Sequence, residues 1–200
     1  MKKKKNIKLI IGSNNTGKIK EIRDLLPKKI EIYTPKQLNI KSPKETGKTF
    51  KENSIIKAKF FSKKSRMTCI ADDSGLEINM LRGEPGIYSA RWGGRKNNFN
   101  LAIKKVYKKL NSVDSNWYNK KVKAKFICAL TIYWTNKKYT TSIGVINGKI
   151  SKIKKGKNGF GYDPIFIPNG NNLTFGQMAS DRKYRVDHRA KAFRKIRKFF

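Results

Sequence analysis

Short apolar runs and helical periodicities alternate along the first half of the chain. Residues 8–11 read as a buried strand, followed by a turn of small polar residues at 12–18. Ile19, Ile22, Leu25 and Leu26 then recur at helical spacing, and Pro27 ends that helix. Residues 30–33 read as a second strand, and 42–48 as a polar loop containing Glu45. Residues 50–61 place Ile55, Ile56, Ala58 and Phe60 along a helix with one apolar face. The apolar run 67–71 predicts a strand that ends in Asp72 and Asp73, with Ser74-Gly75 turning the chain. A Gly/Pro loop at 83–94 holds Tyr88, Arg91 and Trp92, and 98–110 is helical through Leu101, Val106 and Leu110. Residues 123–134 alternate as a strand whose partner is 139–146 across a turn at 135–137. A basic glycine loop follows at 154–161, and 187–199 closes the chain as an amphipathic helix. Early βα alternation followed by an antiparallel pair predicts an α/β domain with a mixed sheet. No repeat or linker divides residues 1–200, so one domain is expected.

Composition adds a bias of charge. The chain carries 48 Lys and Arg against 13 Asp and Glu, a net charge of +35. Lysine dominates, with only 10 arginines, and the lysines are scattered from end to end. Nucleic-acid recognition favours clustered arginine for bidentate contacts. The joint excess of Lys, Asn and Ile therefore reads as the imprint of A+T-rich codons, and no specific nucleic-acid binding is expected. Cys69 and Cys128 sit in separate apolar runs without metal-ligand spacing, which suits buried, reduced thiols and a cytoplasmic location. Lys2 to Lys5 before the apolar residues 7–11 imitates a secretion signal, but Lys8 breaks the apolar part and no cleavage site follows. No run reaches membrane-spanning length.

Four segments could carry chemistry. In the first, a strand, a turn (Ser13, Asn14, Asn15, Thr16, Gly17) and a helix near Lys18 would present backbone N–H groups to an anion. It reads equally as a plain helix cap, and Ile19 stands where a phosphate-binding P-loop needs Ser or Thr. In the second, adjacent Asp72 and Asp73 repel unless a cation intervenes. Glu45 with Asp73 would suffice for magnesium, which takes one or two carboxylates plus phosphate oxygens and water. Without a metal, Asp72 caps a turn and Glu45 is a solvated charge. The third is Gly159-Phe160-Gly161-Tyr162-Asp163-Pro164, where glycines flanking an aromatic allow close approach to a planar ligand, or simply make a turn around a core ring. The fourth is Lys183 with His188 and Arg189, a donor-rich set before the last helix, for which Asp187 is a natural N-cap.

Together these segments resemble the inosine/xanthosine triphosphate pyrophosphatases, which remove non-standard purine nucleotides. The likeness extends to Glu45-Thr46-Gly47, Thr49-Phe50 with Glu52-Asn53 and Lys57-Ala58, residues 71–76 and 85–91, and Thr174-Phe175, in order from residue 8 to about 198. The resemblance implies a two-lobed α/β domain around a long mixed β-sheet flanked by helices, with substrate between the lobes, usually as a homodimer. It implies magnesium-dependent hydrolysis of ITP, dITP and XTP to the monophosphate and pyrophosphate. In that picture Asp73 is the general base and holds Mg2+ with Glu45. Residues 13–18 and Lys57 hold the phosphates with Ser74 nearby, and Phe160 stacks on the purine. Gly161, Tyr162, Asp163, Lys183, His188 and Arg189 line the base and ribose end.

Three positions depart from the family pattern: Lys44 for a second acidic residue beside Glu45, Gln177 near a usual Glu, and Asp187 for a usual Ser. Two other functions stay open on sequence, a hydrolase of modified nucleotides with other bases and a basic nucleic-acid-binding protein. Whatever the function, a net charge of +35 predicts self-repulsion that salt relieves. The melting temperature should rise between low and moderate salt in a thermal scan, and an unchanged value would remove this expectation.

Overall fold

The computed structural model describes residues 7–94 and 97–200, so the lysine run at 2–5 lies outside the described residues. Six strands form one mixed sheet in the order β2-β1-β3-β4-β5-β6. They are β1 (Lys8–Ile11), β2 (Glu31–Tyr33), β3 (Thr68–Ile78), β4 (Lys123–Tyr133), β5 (Tyr139–Ile150) and β6 (Phe166–Pro168). The helices among the described residues are α1 (Thr16–Leu25), α2 (Phe50–Ser65), α3 (Phe99–Val113), α4 (Ser180–Val186) and α5 (His188–Ile196). β1 pairs in parallel with both β2 and β3, whereas β5 and β6 are antiparallel. Parallel neighbours need crossovers, and the connections containing α1 and α2 supply them. The expected α/β class with a mixed sheet is therefore present.

The chain divides into two compact units. The first comprises 1–73, 129–143 and 191–200, and the second 74–128 and 144–190. Strands β3, β4 and β5 each contribute residues to both. In the first unit, Ile10, Ala58, Phe61, Cys69, Ala71 and Tyr133 form a buried cluster. In the second, Leu76, Ile78, Val106, Leu110, Phe126, Phe166 and Phe175 anchor a larger one. The helix read at 98–110 is present as α3, which buries Ala102, Ile103, Val106 and Leu110 but leaves Leu101 exposed, and the Asn98 side chain accepts N–H bonds from Asn100 and Leu101.

The sequence reading needs correction at α2 as well as at β3 and the last helix: of Ile55, Ile56, Ala58 and Phe60 only Ala58 is buried, and α2 turns Asn53, Ser54, Lys57 and Phe61 inward with it. β3 does not end at Asp72 and Asp73, because it runs through both, and through Ser74 and Gly75, to Ile78. The expected turn at Ser74-Gly75 is absent. Consecutive strand side chains point to opposite faces, and the two aspartates take different ion-pair partners, Lys18 for Asp72 and Lys57 for Asp73. The closing helix of 187–199 is also different. Asp187 separates α4 from α5: its N–H bonds to the Lys183 carbonyl, ending α4, and its Oδ1 accepts the Ala190 N–H at 2.6 Å, opening α5. The expected capping role of Asp187 holds, but a second helix precedes it.

Gly12 follows β1, where its N–H bonds to the Ile70 carbonyl of β3 at 2.8 Å. A Cβ there would meet Cys69 Sγ and Phe61 Cδ2, each at 2.8 Å, and the Ala71 Cβ at 3.0 Å. Overpacking of this kind costs about 1–3 kcal/mol. Gly12→Ala should lower the urea midpoint correspondingly without changing the denaturant slope. An unchanged midpoint would show that the cluster can yield.

Candidate functional site

The first unit gathers the acidic and phosphate-type candidates. Asn15 caps α1, its Oδ1 accepting the Lys18 N–H at 3.0 Å, and Ser13 Oγ accepts the Asn15 N–H at 3.1 Å. Thr16 and Gly17 form the first turn of the helix. Asn14 Nδ2 donates to Ser42 Oγ at 2.8 Å, joining this turn to the loop that carries Glu45. That loop is fixed from below by α2. The Gly47 N–H donates to Asn53 Oδ1 and the Lys48 N–H to Glu52 Oε2, each at 2.8 Å, while Thr49 Oγ1 caps the helix at the Glu52 N–H. A side chain at Gly47 would collide with the Glu52 Cβ at 2.6 Å, so only glycine lets the loop lie this close.

Thr49-x-x-Glu52 is a local capping-box signature, but nothing local marks Glu52 or Asn53 as a support of the Glu45 loop. Their bonds show the role. Lys44, at the departing position, is exposed beside that loop.

Each aspartate of β3 has its own lysine. Lys18 Nζ lies 3.3 Å from Asp72 Oδ2, with Asp72 0% exposed. Lys57 Nζ lies 3.0 Å from Asp73 Oδ1 and 2.7 Å from Glu45 Oε1, so one ammonium bridges two carboxylates. Asp73 is 5% exposed, and its Oδ2 is buried without a hydrogen-bond partner among the described residues. Burial raises the Asp73 carboxyl pKa, Lys57 and Lys18 oppose that rise, and Glu45 adds to it. The Lys57 ammonium loses hydration on burial, yet Asp73, Asp72 and Glu45 hold it charged well above the ordinary lysine range.

A magnesium ion fits this donor set on one observation: Asp73 Oδ2 is a hard oxygen left unsatisfied while its twin is taken by Lys57. No group of three His, Cys, Asp or Glu among the described residues is placed to hold a metal ion. Glu45 and Asp73 would share the ion with phosphate oxygens and water, the usual habit of magnesium.

The second unit gathers the remaining candidates. Phe160 lies in a turn closed by its N–H to Asp163 Oδ2 at 2.8 Å. Lys183 Nζ donates to that same oxygen at 2.7 Å and lies 5.3 Å from the Phe160 ring centre and 5.4 Å from that of Phe175. Arg189 is 1% exposed, donates from Nη2 to Ser74 Oγ at 2.9 Å, and lies with Cζ 5.8 Å from the Phe160 ring. Ser74 thus stands with Arg189 in this unit. His188 stacks on Phe126 with centroids 4.8 Å apart and planes within 10°. Tyr162 is buried in the core, donating to the Ser89 carbonyl at 2.8 Å and meeting Phe99 edge-on, and burial raises its hydroxyl pKa. Gly161 has φ +67°, a conformation glycine adopts without strain. Gln177, another departing position, completes a capping box with Thr174.

The Asp73 carboxyl should titrate above the ordinary aspartate range in an NMR pH titration. Its raised pKa means that ionisation opposes folding: this cost is absent below the unfolded pKa, grows as pH rises, and is complete above the folded pKa. Lys57 pulls that value down, so Lys57→Met should move it higher still. A lower value in the variant would refute this account of the charge balance.

The comparisons with known proteins agree with one another. The Ham1 family model matches residues 9–199. A Caulobacter vibrioides protein named dITP/XTP pyrophosphatase is 41% identical over 190 residues, covering 95% of this chain and 96% of its own. A Bacillus licheniformis protein of the same name is 37% identical, covering 94% and 95%. Among solved structures, a HAM1 protein from Coxiella burnetii superposes with a TM-score of 0.84 at 31% identity, covering 96% of this chain and 98% of its own. The Staphylococcus aureus Ham1 protein gives 0.81 at 34%, covering 96% and 97%. With its residues 9–199 matched and near-complete relatives above 30% identity, the chain belongs to the Ham1 family.

Proposed function

We propose that this protein hydrolyses non-standard purine nucleoside triphosphates, namely ITP, dITP and XTP, to the monophosphate and pyrophosphate. Relatives over nearly the full length bear the name dITP/XTP pyrophosphatase. The observation that carries the reading is Asp73, a buried carboxylate with one oxygen on Lys57 and the other unsatisfied.

Asp73 accepts the proton of the water that attacks the α-phosphorus. Its raised pKa improves it as a base, because a carboxylate in the ordinary range holds a proton too weakly at neutral pH. Lys57, kept charged by its acidic neighbours, offers its ammonium to phosphate oxygens and balances the charge that builds on them. At the N-terminus of α1 the Ser13, Asn15 and Lys18 N–H groups are bonded within the turn, so Thr16 and Gly17 offer their backbone N–H groups to the triphosphate, with the Lys18 ammonium and the side chains of Ser13, Asn14 and Asn15 around them. Magnesium, held by Glu45 and Asp73, would neutralise phosphate charge and polarise the scissile linkage.

At the base end, Phe160 stacks on the purine while Lys183, His188 and Arg189 form a donor-rich surround. A 6-oxo group accepts hydrogen bonds where the 6-amino group of adenine donates. Donors left unpaired against adenine can discriminate by roughly 10⁴-fold.

We further propose a cytoplasmic homodimer. The buried cysteines suit a reducing compartment. Among the described residues no helix is long and apolar enough to cross a membrane.

Pyrophosphate release from ITP, XTP, GTP and ATP, with magnesium or with EDTA, tests the reading. Fast magnesium-dependent release from ITP and XTP is expected, with little from ATP. Asp73→Asn should reduce kcat by at least ~10²-fold, the lower range for loss of a general base. Equal rates in wild type and variant would exclude Asp73 as the base, and no release from any nucleotide would exclude the activity.

A further inference from the structure

Asp163 lies among the residues expected at the base end, yet it is 2% exposed and its Oδ2 is already engaged. That one oxygen accepts the Phe160 N–H at 2.8 Å and the Lys183 Nζ at 2.7 Å. The Asp163 N–H closes the same turn onto the Phe160 carbonyl at 3.2 Å. Lys183 is 3% exposed, and its ammonium rests against the Phe160 and Phe175 rings. Gly159, at φ +71°, makes room for the carboxylate, since a Cβ there would lie 2.0 Å from Asp163 Oδ2.

We propose that Asp163 is a positioning residue, which fixes the Phe160 ring and the Lys183 ammonium as one preformed surface for an oxopurine and does not itself contact the base. This rests on the activity proposed above and adds how the base end is organised.

The physical reasoning has two parts. A stacking ring on a glycine-flanked turn gains affinity only if the turn is held before the ligand arrives. The Phe160 N–H bond supplies that hold. A buried ammonium also needs a counter-charge to keep its place, and the same oxygen supplies it. Ring and cation are therefore tied to one oxygen. Loss of the hold should weaken ground-state and transition-state binding alike, which raises KM and spares kcat.

The test combines steady-state kinetics on ITP, thermal melting, and hydrogen exchange at the Phe160 amide for wild type, Asp163→Asn, Asp163→Ala and Gly159→Ala. Asp163→Ala leaves Lys183 without its counter-charge and can fail to fold, so the other two variants keep the proposal decidable. Asp163→Asn retains an acceptor for the Phe160 N–H but no charge for Lys183. It should keep amide protection and raise KM about tenfold, with kcat within about threefold. Gly159→Ala keeps every charge but displaces the carboxylate, so it should lose amide protection and raise KM as well.

A fall in melting temperature with KM unchanged in both variants would overturn the proposal and leave Asp163 a structural residue only. A fall in kcat at unchanged KM would overturn it in favour of a part in the chemistry. Unaltered Phe160 protection in Gly159→Ala would remove the hold on the ring. The exchange measurement needs no substrate, so a wild type inactive on ITP would sink the proposed activity while the ring-holding contact was still judged.

Discussion

The bridge made by Lys57 between Glu45 and Asp73 is the interaction on which the acidic site depends. Two carboxylates brought together away from water repel, and neither would stay ionised without a cation between them. The ammonium at 2.7 and 3.0 Å resolves this within the chain itself. Breaking such a buried pair by removing one partner costs about 3–5 kcal/mol where burial is complete, and less at Glu45, which is partly open. The bridge is also asymmetric. It occupies one oxygen of Asp73 and leaves the other unsatisfied, which keeps a buried carboxylate both ionisable and available. Helix α2 is the rigid element here, since it carries Lys57 and, one turn earlier, the Asn53 carboxamide that holds the Glu45 loop.

The second unit solves a related problem with different chemistry. Its buried cations, Lys183 and Arg189, each contact an oxygen and an aromatic ring: Asp163 for the first, Ser74 for the second, Phe160 for both. Aromatic faces compensate a desolvated cation without adding negative charge. Under the function proposed above this suits an oxopurine, whose carbonyl oxygen a further carboxylate would repel.

Much of the first unit was legible in the sequence because its signals are local. The apolar run at 8–11, the small polar turn at 12–18 that reads as a helix cap and the periodicity that ends at Pro27 each lie within a few residues of what they specify. β3 was misread for the opposite reason. Asp, Ser and Gly are poor strand formers, and the partners that let Asp72 and Asp73 stay in a strand are Lys18 and Lys57, far away in the chain. α4 escaped because Ser180–Val186 is short and mostly charged, with no apolar stripe to announce it. β6 is three residues ending in proline, below the length at which alternation can be seen. At the site, residue types were readable but roles were not. Asp163 and Tyr162 stand in a motif that invites a ligand, and only their partners show that both side chains face inward.

The close contact of Gly12 with Cys69 has a consequence for the chemistry of the thiol. Thiolate is the form that reacts with oxidants and alkylating agents, and burial pushes the Cys69 thiol pKa far up, so very little thiolate forms. The sulfur is also buried among neighbouring atoms of its cluster, so a reagent reaches it only when the β1–β3 pairing opens. Cys69 is therefore inert in the folded protein and reactive in the opened one, and its modification is an intrinsic clock for how often that part of the sheet comes apart.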